Sequence, residues 1–285
     1  MKKLGVLKSV FTITLFITAF AICTQVNSED VVLAKKVGIH HLATVAIIID
    51  DLGSNEESAK QLILLPAQLT YSFLPHTPFA KKLAIATHEQ GKEVMLHLPM
   101  EPIGQNDMGP GGLSLGMNRT NFESTVREAV LAVPYAVGIN NHMGSSLTQS
   151  MKNMHWLMQA IKSEDNFYFV DSRTHFATVA AKMASQNHLQ HASRDIFLDH
   201  VVERSEIDRQ FRRLIKRARR TGHALAIAHP HQLTLDALED WLPVFEEQGI
   251  QIVPVSKYIQ SLEVERNNNK LWQASLSLSP QVLKN

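Results

Sequence analysis

Two adjacent carboxylates, Asp50 and Asp51, directly follow a run of apolar and mostly β-branched residues at 45–49. An apolar run without alternation is typical of a strand buried on both faces, as in a parallel sheet. The carboxyl ends of such strands are where α/β folds place their chemistry. The pair is therefore a candidate for acid–base or metal chemistry, although Asp-Asp is also a common turn sequence.

Other predicted strands also end in side chains that can bind a metal or carry a proton. A lone histidine at a strand end is usually a hydrogen-bonded structural residue, but six such ends on one edge of a sheet favour an active site. Carboxylate and imidazole groups together suit Zn²⁺ or a similar divalent ion, whose bound water becomes a nucleophile. A carboxylate could take up the proton of that water and a histidine could protonate a leaving group, but residue types alone do not assign these roles. The five further strand ends are His97 with Glu101, Asn140-Asn141-His142, Asp171-Ser172-Arg173, Asp199-His200 and His229.

Strand-like and helix-like stretches alternate along the chain with short connections, which predicts an α/β fold. About eight strand–helix units favour an irregular (β/α) barrel of about seven or eight strands over an open sheet. No glycine-rich nucleotide-binding loop follows the first strand, so a nucleotide-binding fold loses its main support. After 45–49, the predicted strands are 69–75, 93–99, 136–140, 167–171, 193–199, 224–230 and 250–256. The predicted helices are 56–65, 78–90, 121–132, 151–162, 178–186, 203–221 and 235–248.

The two ends of the chain differ in character from this domain. Residues 1–28 have a basic start and an apolar run at 10–22, which is typical of a signal peptide, with an uncleaved membrane anchor as the alternative. Cys23, the only cysteine, would leave with that peptide, which suits a bacterial periplasm. We therefore predict a signal peptide (1–28), a leader (29–44), the barrel (45–262) and a polar, partly disordered tail (263–285).

The formal net charge of +1 gives no indication of nucleic-acid binding. Eight lysines and arginines nevertheless crowd the predicted helix at 204–220. A solvated outer helix face is the simplest interpretation, and attraction to anionic polymers or lipids of the cell envelope is the alternative.

The order of these motifs resembles the divergent polysaccharide deacetylases, a branch related to carbohydrate esterase family four. The resemblance covers nearly the whole predicted mature chain. It implies an irregular (β/α) barrel, a divalent metal that is usually zinc, and the removal of acetyl groups from carbohydrate. The matching segments are IIIDDLG (47–53), LTYSFLPHTP (69–78), GKEVMLHLPMEP (91–102), VGINNHMGSSLT (137–148), FYFVDSRT (167–174), RDIFLDH (194–200) and AIAHP (226–230).

The resemblance also implies roles for single residues. The family's Asp-Asp motif makes Asp50 the general base and Asp51 a metal ligand. His97 matches the first histidine of the family's metal motif, whereas Glu101 stands where the second histidine is usual. Either Glu101 or His142 could therefore complete the metal site. The family's late histidine motif makes His229 the candidate general acid.

Three further residues are possible metal or substrate contacts. Asn141 lies in the segment that matches the family's arginine-containing region. Asp171 and Arg173 could orient the base and the acid, or they could form a buried ion pair.

Two functions are predicted on these grounds. The first is a periplasmic, metal-dependent hydrolase that acts on acetylated polysaccharide or a peptidoglycan-type substrate. The second is a catalytically inactive, deacetylase-like protein that binds glycan or an envelope partner in the periplasm.

Overall fold

The computed structural model describes residues 43–104, 106–163 and 167–277. The predicted signal peptide, the leader up to residue 42 and the last eight residues of the predicted tail (278–285) lie outside the described residues. None of the described helices is both long and apolar enough to cross a membrane.

Strands and helices alternate through the described residues. The strands are β1 (Ala43–Leu52), β2 (Thr70–Phe73), β3 (Glu93–Met100), β4 (Ala136–Met143), β5 (Tyr168–Asp171), β6 (His191–Ser193), β7 (Ile196–Phe197), β8 (His223–Ala228) and β9 (Ile250–Ile252). The helices are α1 (Glu56–Ile63), α2 (Ala80–Glu89), α3 (Arg119–Ala132), α4 (Met151–Lys162), α5 (Ala180–Gln186), α6 (Arg204–Thr221), α7 (Gln232–Glu247) and α8 (Val255–Ser277). Each predicted helix is present, with ends within three residues of the predicted ones.

The strands form one parallel sheet in the order β6-β5-β4-β3-β2-β1-β8-β7, with β9 paired to the start of β1. Its two end strands, β6 and β7, are consecutive in the chain and separated only by Arg194 and Asp195. The sheet therefore curls round on itself, and the predicted irregular (β/α) barrel is confirmed.

The single strand predicted at 193–199 is wrong in detail. Residues 191–193 pair with β5, and residues 196–197 pair with β8 on the other side. The chain changes partner between them, where the Arg194 amide donates to Asp171 and the Asp195 amide donates to Leu225. This interrupted segment is what joins the two ends of the sheet.

The strand predicted at 250–256 is also too long, because β9 ends at Ile252 and a helix begins at Val255. Pro254 offers its carbonyl to the Tyr258 amide and so stands at the start of α8. This helix runs to Ser277, past residue 262, where the sequence predicts the end of the barrel.

Two layers of buried side chains fix the position of each strand. Ile47 and Ile49 of β1 pack outwards against the surrounding helices, whereas Ala46 and Ile48 pack inside the barrel. Because successive side chains of a strand point to opposite faces, each inward position is followed by another two residues later. The inner apolar layer is Ala46, Ile48, Met95, Tyr168, Val170, Ala192, Leu225 and Ile227, joined by Val255, Tyr258 and Ile259 of α8.

The next inward positions at the carboxyl ends of these strands are polar. Asp50 follows Ile48, His97 follows Met95, and His229 follows Ile227, each two residues on. Complete burial of each supporting aliphatic side chain contributes about 1.5–3 kcal/mol. The polar groups thus stand on a well-packed apolar layer inside the barrel.

Candidate metal centre

An irregularity near the carboxyl end of β1 brings two consecutive carboxylates into one site. Alternation along a strand would send the side chains of Asp50 and Asp51 to opposite faces. Asp51 has a φ of 58°, a left-handed conformation that aspartate adopts more readily than most residues, and the β1–β2 register shifts at this point. Gly53, with a φ of 116°, then leads to α1, where the Asn55 side chain caps the first turn.

Three potential ligand atoms converge at the carboxyl ends of β1, β3 and β4. The distance from Asp51 Oδ1 to His97 Nε2 is 3.1 Å, and that to His142 Nδ1 is 2.9 Å. The two imidazole nitrogens are 3.2 Å apart. Asp51 Oδ1 is buried and has no hydrogen-bond partner within the described part of the chain. A bound ion or water is a common partner of a buried polar atom of this kind.

The spacing and donor types of these three atoms suit a divalent ion. Ligand bonds of about 2.0–2.2 Å in a tetrahedral zinc site place the ligand atoms about 3.3 Å apart. One carboxylate with two imidazoles is also a donor set that zinc accepts, with a fourth position left for water or substrate. Burial alone would raise the pKa of Asp51, but the imidazoles of His142 and His97 hold it well below its usual value. The aspartate is therefore ionised and ready to bind a cation.

Asp50 lies beside this centre, although its atoms are not among the three that converge. Its side chain is 3% exposed, and Asn140 Nδ2 donates to both carboxylate oxygens at 2.8 and 3.0 Å. Burial raises the pKa of Asp50 above its ordinary value and outweighs the nearby imidazoles and the amide, which favour the ionised form. Such a carboxylate is a stronger base than an exposed aspartate.

His97 lies between the two aspartates. Its Nδ1 is 2.8 Å from Asn140 Oδ1 and 3.6 Å from Asp50 Oδ1, while its Nε2 faces Asp51. Burial would lower the pKa of His97, but the charges of Asp50 and Asp51 outweigh it and raise that pKa to about 9.

His229 approaches from β8 on the other side. Its Nε2 is 3.8 Å from Asp51 Oδ2, and its Nδ1 is 2.9 Å from Asp199 Oδ1. Asp199 also accepts from the His229 amide at 2.7 Å and from Thr234 Oγ1 at 2.8 Å, which fixes the carboxylate. Burial lowers the pKa of His229, but Asp199 and Asp50 raise it more, so the imidazole favours its protonated form.

A model of one protein family matches most of the chain. Residues 47–259 match the family described as divergent polysaccharide deacetylase. The chain belongs to this family. The resemblance seen in the sequence motifs is thereby confirmed.

Two relatives share more than a third of the aligned residues with this family member. The uncharacterized protein YibQ of Escherichia coli K12 is 38% identical over 195 residues, which are 68% of this chain and 61% of that protein. An uncharacterized protein of Haemophilus influenzae is 35% identical over 209 residues, which are 73% of this chain and 74% of that one. The match therefore spans less than two thirds of the length of YibQ.

Two solved structures share the fold at low sequence identity. An uncharacterized protein of Agrobacterium tumefaciens C58 has a TM-score of 0.72 and 23% identity, covering 75% of this chain and 88% of that one. A putative cellobiose-phosphate cleavage protein of Enterococcus faecalis V583 has a TM-score of 0.55 and 12% identity, covering 77% and 98%. These likenesses show the fold alone.

Glu101, one of the two candidates for the last metal ligand in this deacetylase-family chain, binds backbone groups of a loop instead. Its Oε2 accepts from the Leu115 amide at 2.7 Å, and its backbone pairs with Leu113, Ser146 and Leu147. The structure thus places Glu101 at the base of the loop between β3 and α3 and brings His142 to the candidate metal centre.

Asn141 and Asp171, two of the other predicted metal or substrate contacts, also form hydrogen bonds with backbone groups. Asn141 accepts from the Ser172 amide at 2.9 Å and donates to the Met143 carbonyl at 2.8 Å. Asp171 accepts from the Arg173 amide at 2.8 Å and from Thr178 at 3.1 Å, while the Arg173 side chain is exposed. No Asp171–Arg173 side-chain ion pair is present among the described residues.

Three residues around the site have no role that was predicted from the sequence. Asn140 bridges Asp50 and His97, and Asp199 holds His229. Arg194 donates to the carbonyls of residues 172 and 173 at 2.7 and 3.0 Å and so fixes the loop after β5. Strand alternation predicts the position of Asn140, because Asn140 lies on the same face of the strand as His142 two residues later. No comparable sequence signal identifies Arg194.

Proposed function

We propose that this protein is a metal-dependent hydrolase that removes acetyl groups from carbohydrate of the cell envelope. The observation that carries the proposal is the convergence of Asp51 Oδ1, His97 Nε2 and His142 Nδ1 within 3.2 Å of one another. Membership of the divergent polysaccharide deacetylase family supports the choice of substrate.

In this proposal Asp51, His97 and His142 hold the metal. A divalent ion bound there would lower the pKa of a water and polarise the acetyl carbonyl. The side chains of these three residues come from β1, β3 and β4, so their spacing is set by the packed sheet rather than by a mobile loop.

Asp50 acts as the general base. Its carboxylate lies next to the ligand His97, and burial raises its pKa, which makes it a stronger base than an exposed aspartate. It takes the proton of the attacking water as the oxygen of that water bonds to the acetyl carbon.

His229 acts as the general acid. Its Nε2 faces the centre, while Asp199 fixes the ring through Nδ1 and favours the protonated form. As the bond from the acetyl carbon to nitrogen or oxygen breaks, His229 delivers a proton to the departing amine or alcohol. The products are acetate and the deacetylated sugar.

Acetate release tests the proposal. The protein lacking residues 1–28 is freed of metal with a chelator, reloaded with zinc, and incubated with chitooligosaccharides, peptidoglycan fragments and acetylated aryl esters. We expect zinc-dependent acetate release that disappears in Asp50→Asn while zinc stays bound. Folded, zinc-loaded protein that releases no acetate from any of them would exclude the activity for these substrates.

The same experiment separates the two predicted functions. Glycan binding by isothermal titration without any acetate release would favour the inactive, deacetylase-like protein. The periplasmic location is part of the proposal and depends on residues 1–28, which lie outside the described residues.

The basic helix α6 is proposed as a contact with the anionic envelope. Several of its arginines are paired with carboxylates: Arg204 with Asp208 and Asp240, Arg209 with Glu206, and Arg217 with Asp195. The remaining exposed cations supply the attraction, namely Arg212, Arg213, Lys216, Arg219 and Arg220. Binding to lipopolysaccharide should weaken with salt and be lost when these five are changed to glutamate; salt-independent binding would contradict the contact.

A further inference from the structure

Asn140 lies inside the barrel, in the layer that carries the metal centre. It is 0% exposed and pairs in register with His97 of the neighbouring strand β3. Both ends of its amide are used by side chains, which is uncommon because most side-chain hydrogen bonds go to backbone or water.

The two ends of this amide serve different partners. Asn140 Oδ1 accepts from Ser72 Oγ at 2.7 Å and lies 2.8 Å from His97 Nδ1. Asn140 Nδ2 donates to the two oxygens of Asp50 at 2.8 and 3.0 Å and lies 3.3 Å from Ser172 Oγ.

These contacts allow only one orientation of the amide. An ionised carboxylate can only accept, so the NH₂ group must face Asp50 and the carbonyl oxygen must face His97. His97 Nδ1 then has to carry a hydrogen, so Nε2, which faces Asp51 and His142, is the nitrogen that can release its proton and bind a metal. Partners of this kind fix the tautomer and the ring orientation of metal-binding histidines.

We propose that Asn140 is a positioning residue that fixes the general base and a metal ligand at the same time. Its NH₂ group holds the Asp50 carboxylate, and its carbonyl oxygen holds the His97 ring with Nε2 available to the metal. The part that concerns Asp50 rests on the proposed hydrolase function, whereas the part that concerns His97 requires only that the centre binds metal.

Two substitutions separate the two halves of this role. Asn140→Ala removes both contacts, so zinc affinity should fall about 10- to 100-fold, the usual effect of removing such a partner. Asn140→Asp keeps an acceptor for His97 Nδ1 but places a second carboxylate against Asp50. It should keep zinc affinity within about threefold of the wild type and still lose turnover, with kcat affected far more than KM.

Asn187 offers a matched control. It is also a buried asparagine with both amide ends bonded, to Gln159 and to the Met183 carbonyl, but it caps α5 and is absent from the metal centre. Asn187→Ala should lower the melting temperature as a lost buried amide does and leave zinc affinity unchanged.

The measurements are zinc affinity by competition with a chelator, kcat and KM for acetate release, and the ¹⁵N-edited proton spectrum of zinc-loaded protein. We expect a slowly exchanging His97 Nδ1–H signal in the wild type and in Asn140→Asp, and its loss in Asn140→Ala. Wild-type zinc affinity and an intact signal in Asn140→Ala would overturn the proposal. If the wild type binds zinc but has no turnover, the hydrolase proposal fails, and zinc affinity and the proton signal still decide the part concerning His97.

Discussion

Replacing His142 by alanine should weaken zinc binding by about 60- to 700-fold. Four-ligand zinc sites in small domains bind with about 10–16 kcal/mol, so one ligand contributes roughly 2.5–4 kcal/mol, and each 1.4 kcal/mol is a factor of about ten. His142 Nδ1 is one of three converging atoms, 2.9 Å from Asp51 Oδ1 and 3.2 Å from His97 Nε2. Because the His142 side chain is 18% exposed, water can take its place, and the loss should lie at the lower end of this range.

Glu101→Gln is the matched control. The carboxylate of Glu101 accepts from the Leu115 amide at 2.7 Å, and glutamine keeps an acceptor there while losing the charge. Zinc affinity should then stay within about twofold of the wild type, since no ligand is removed. Both variants are measured by competition with a chromophoric chelator, with circular dichroism to establish folding. An equal or larger loss in Glu101→Gln, or none in His142→Ala, would refute the assignment of His142.

Three further predictions concern the same centre. The pKa of His97 is raised to about 9 in the metal-free protein, so zinc must displace a proton there. Zinc affinity should therefore rise about tenfold per pH unit below pH 9. A constant zinc affinity in calorimetric titrations between pH 6 and 8 would contradict this. Asp50→Asn should abolish acetate release and still bind zinc, whereas Asp51→Asn should no longer bind zinc. Metal analysis after gel filtration measures the bound zinc, and the opposite pattern would reverse the two assignments. Asp199→Asn should lower kcat about 100- to 10,000-fold with little change in KM, because His229 loses the carboxylate that orients it and stabilises its protonated form. An unchanged kcat in steady-state assays would exclude His229 as the acid.

The buried β1 strand and its carboxylates could be predicted from the sequence because they depend on local patterns. A continuous apolar run predicts a strand buried on both faces, and the structure buries residues 45–49 completely. The way in which Asp50 and Asp51 both reach the centre could not be predicted, since alternation alone would separate them. The positive φ of Asp51 that resolves this is a backbone conformation, which residue types do not determine.

The sequence leaves open whether Glu101 or His142 is the third metal ligand. Because β3 continues as far as Met100, Glu101 lies four residues beyond His97 along an extended chain, about 13 Å away. His142 is distant in sequence, but β4 pairs with β3 so that His142 lies beside Pro99. Strand register between non-adjacent parts of the chain decided this point, and one sequence alone does not contain it.

The division of the segment at 193–199 into two strands could not be predicted for a related reason. The stretch at 193–199 has the composition of one strand, but its two halves pair with β5 and with β8. A change of partner in mid-segment leaves no periodic signal, because the side chains keep alternating. The helix that follows Pro254 was missed because its first turn carries β-branched and aromatic residues that favour a strand.

A crystal structure of the zinc-loaded protein, with anomalous scattering recorded at the zinc edge, tests the central claim most directly. We expect one anomalous peak bonded to Asp51 Oδ1, His97 Nε2 and His142 Nδ1, with Asp50 and His229 beside it as non-ligands. A zinc-containing crystal with no peak at this position, or with zinc bound by Glu101 in place of His142, would contradict the account.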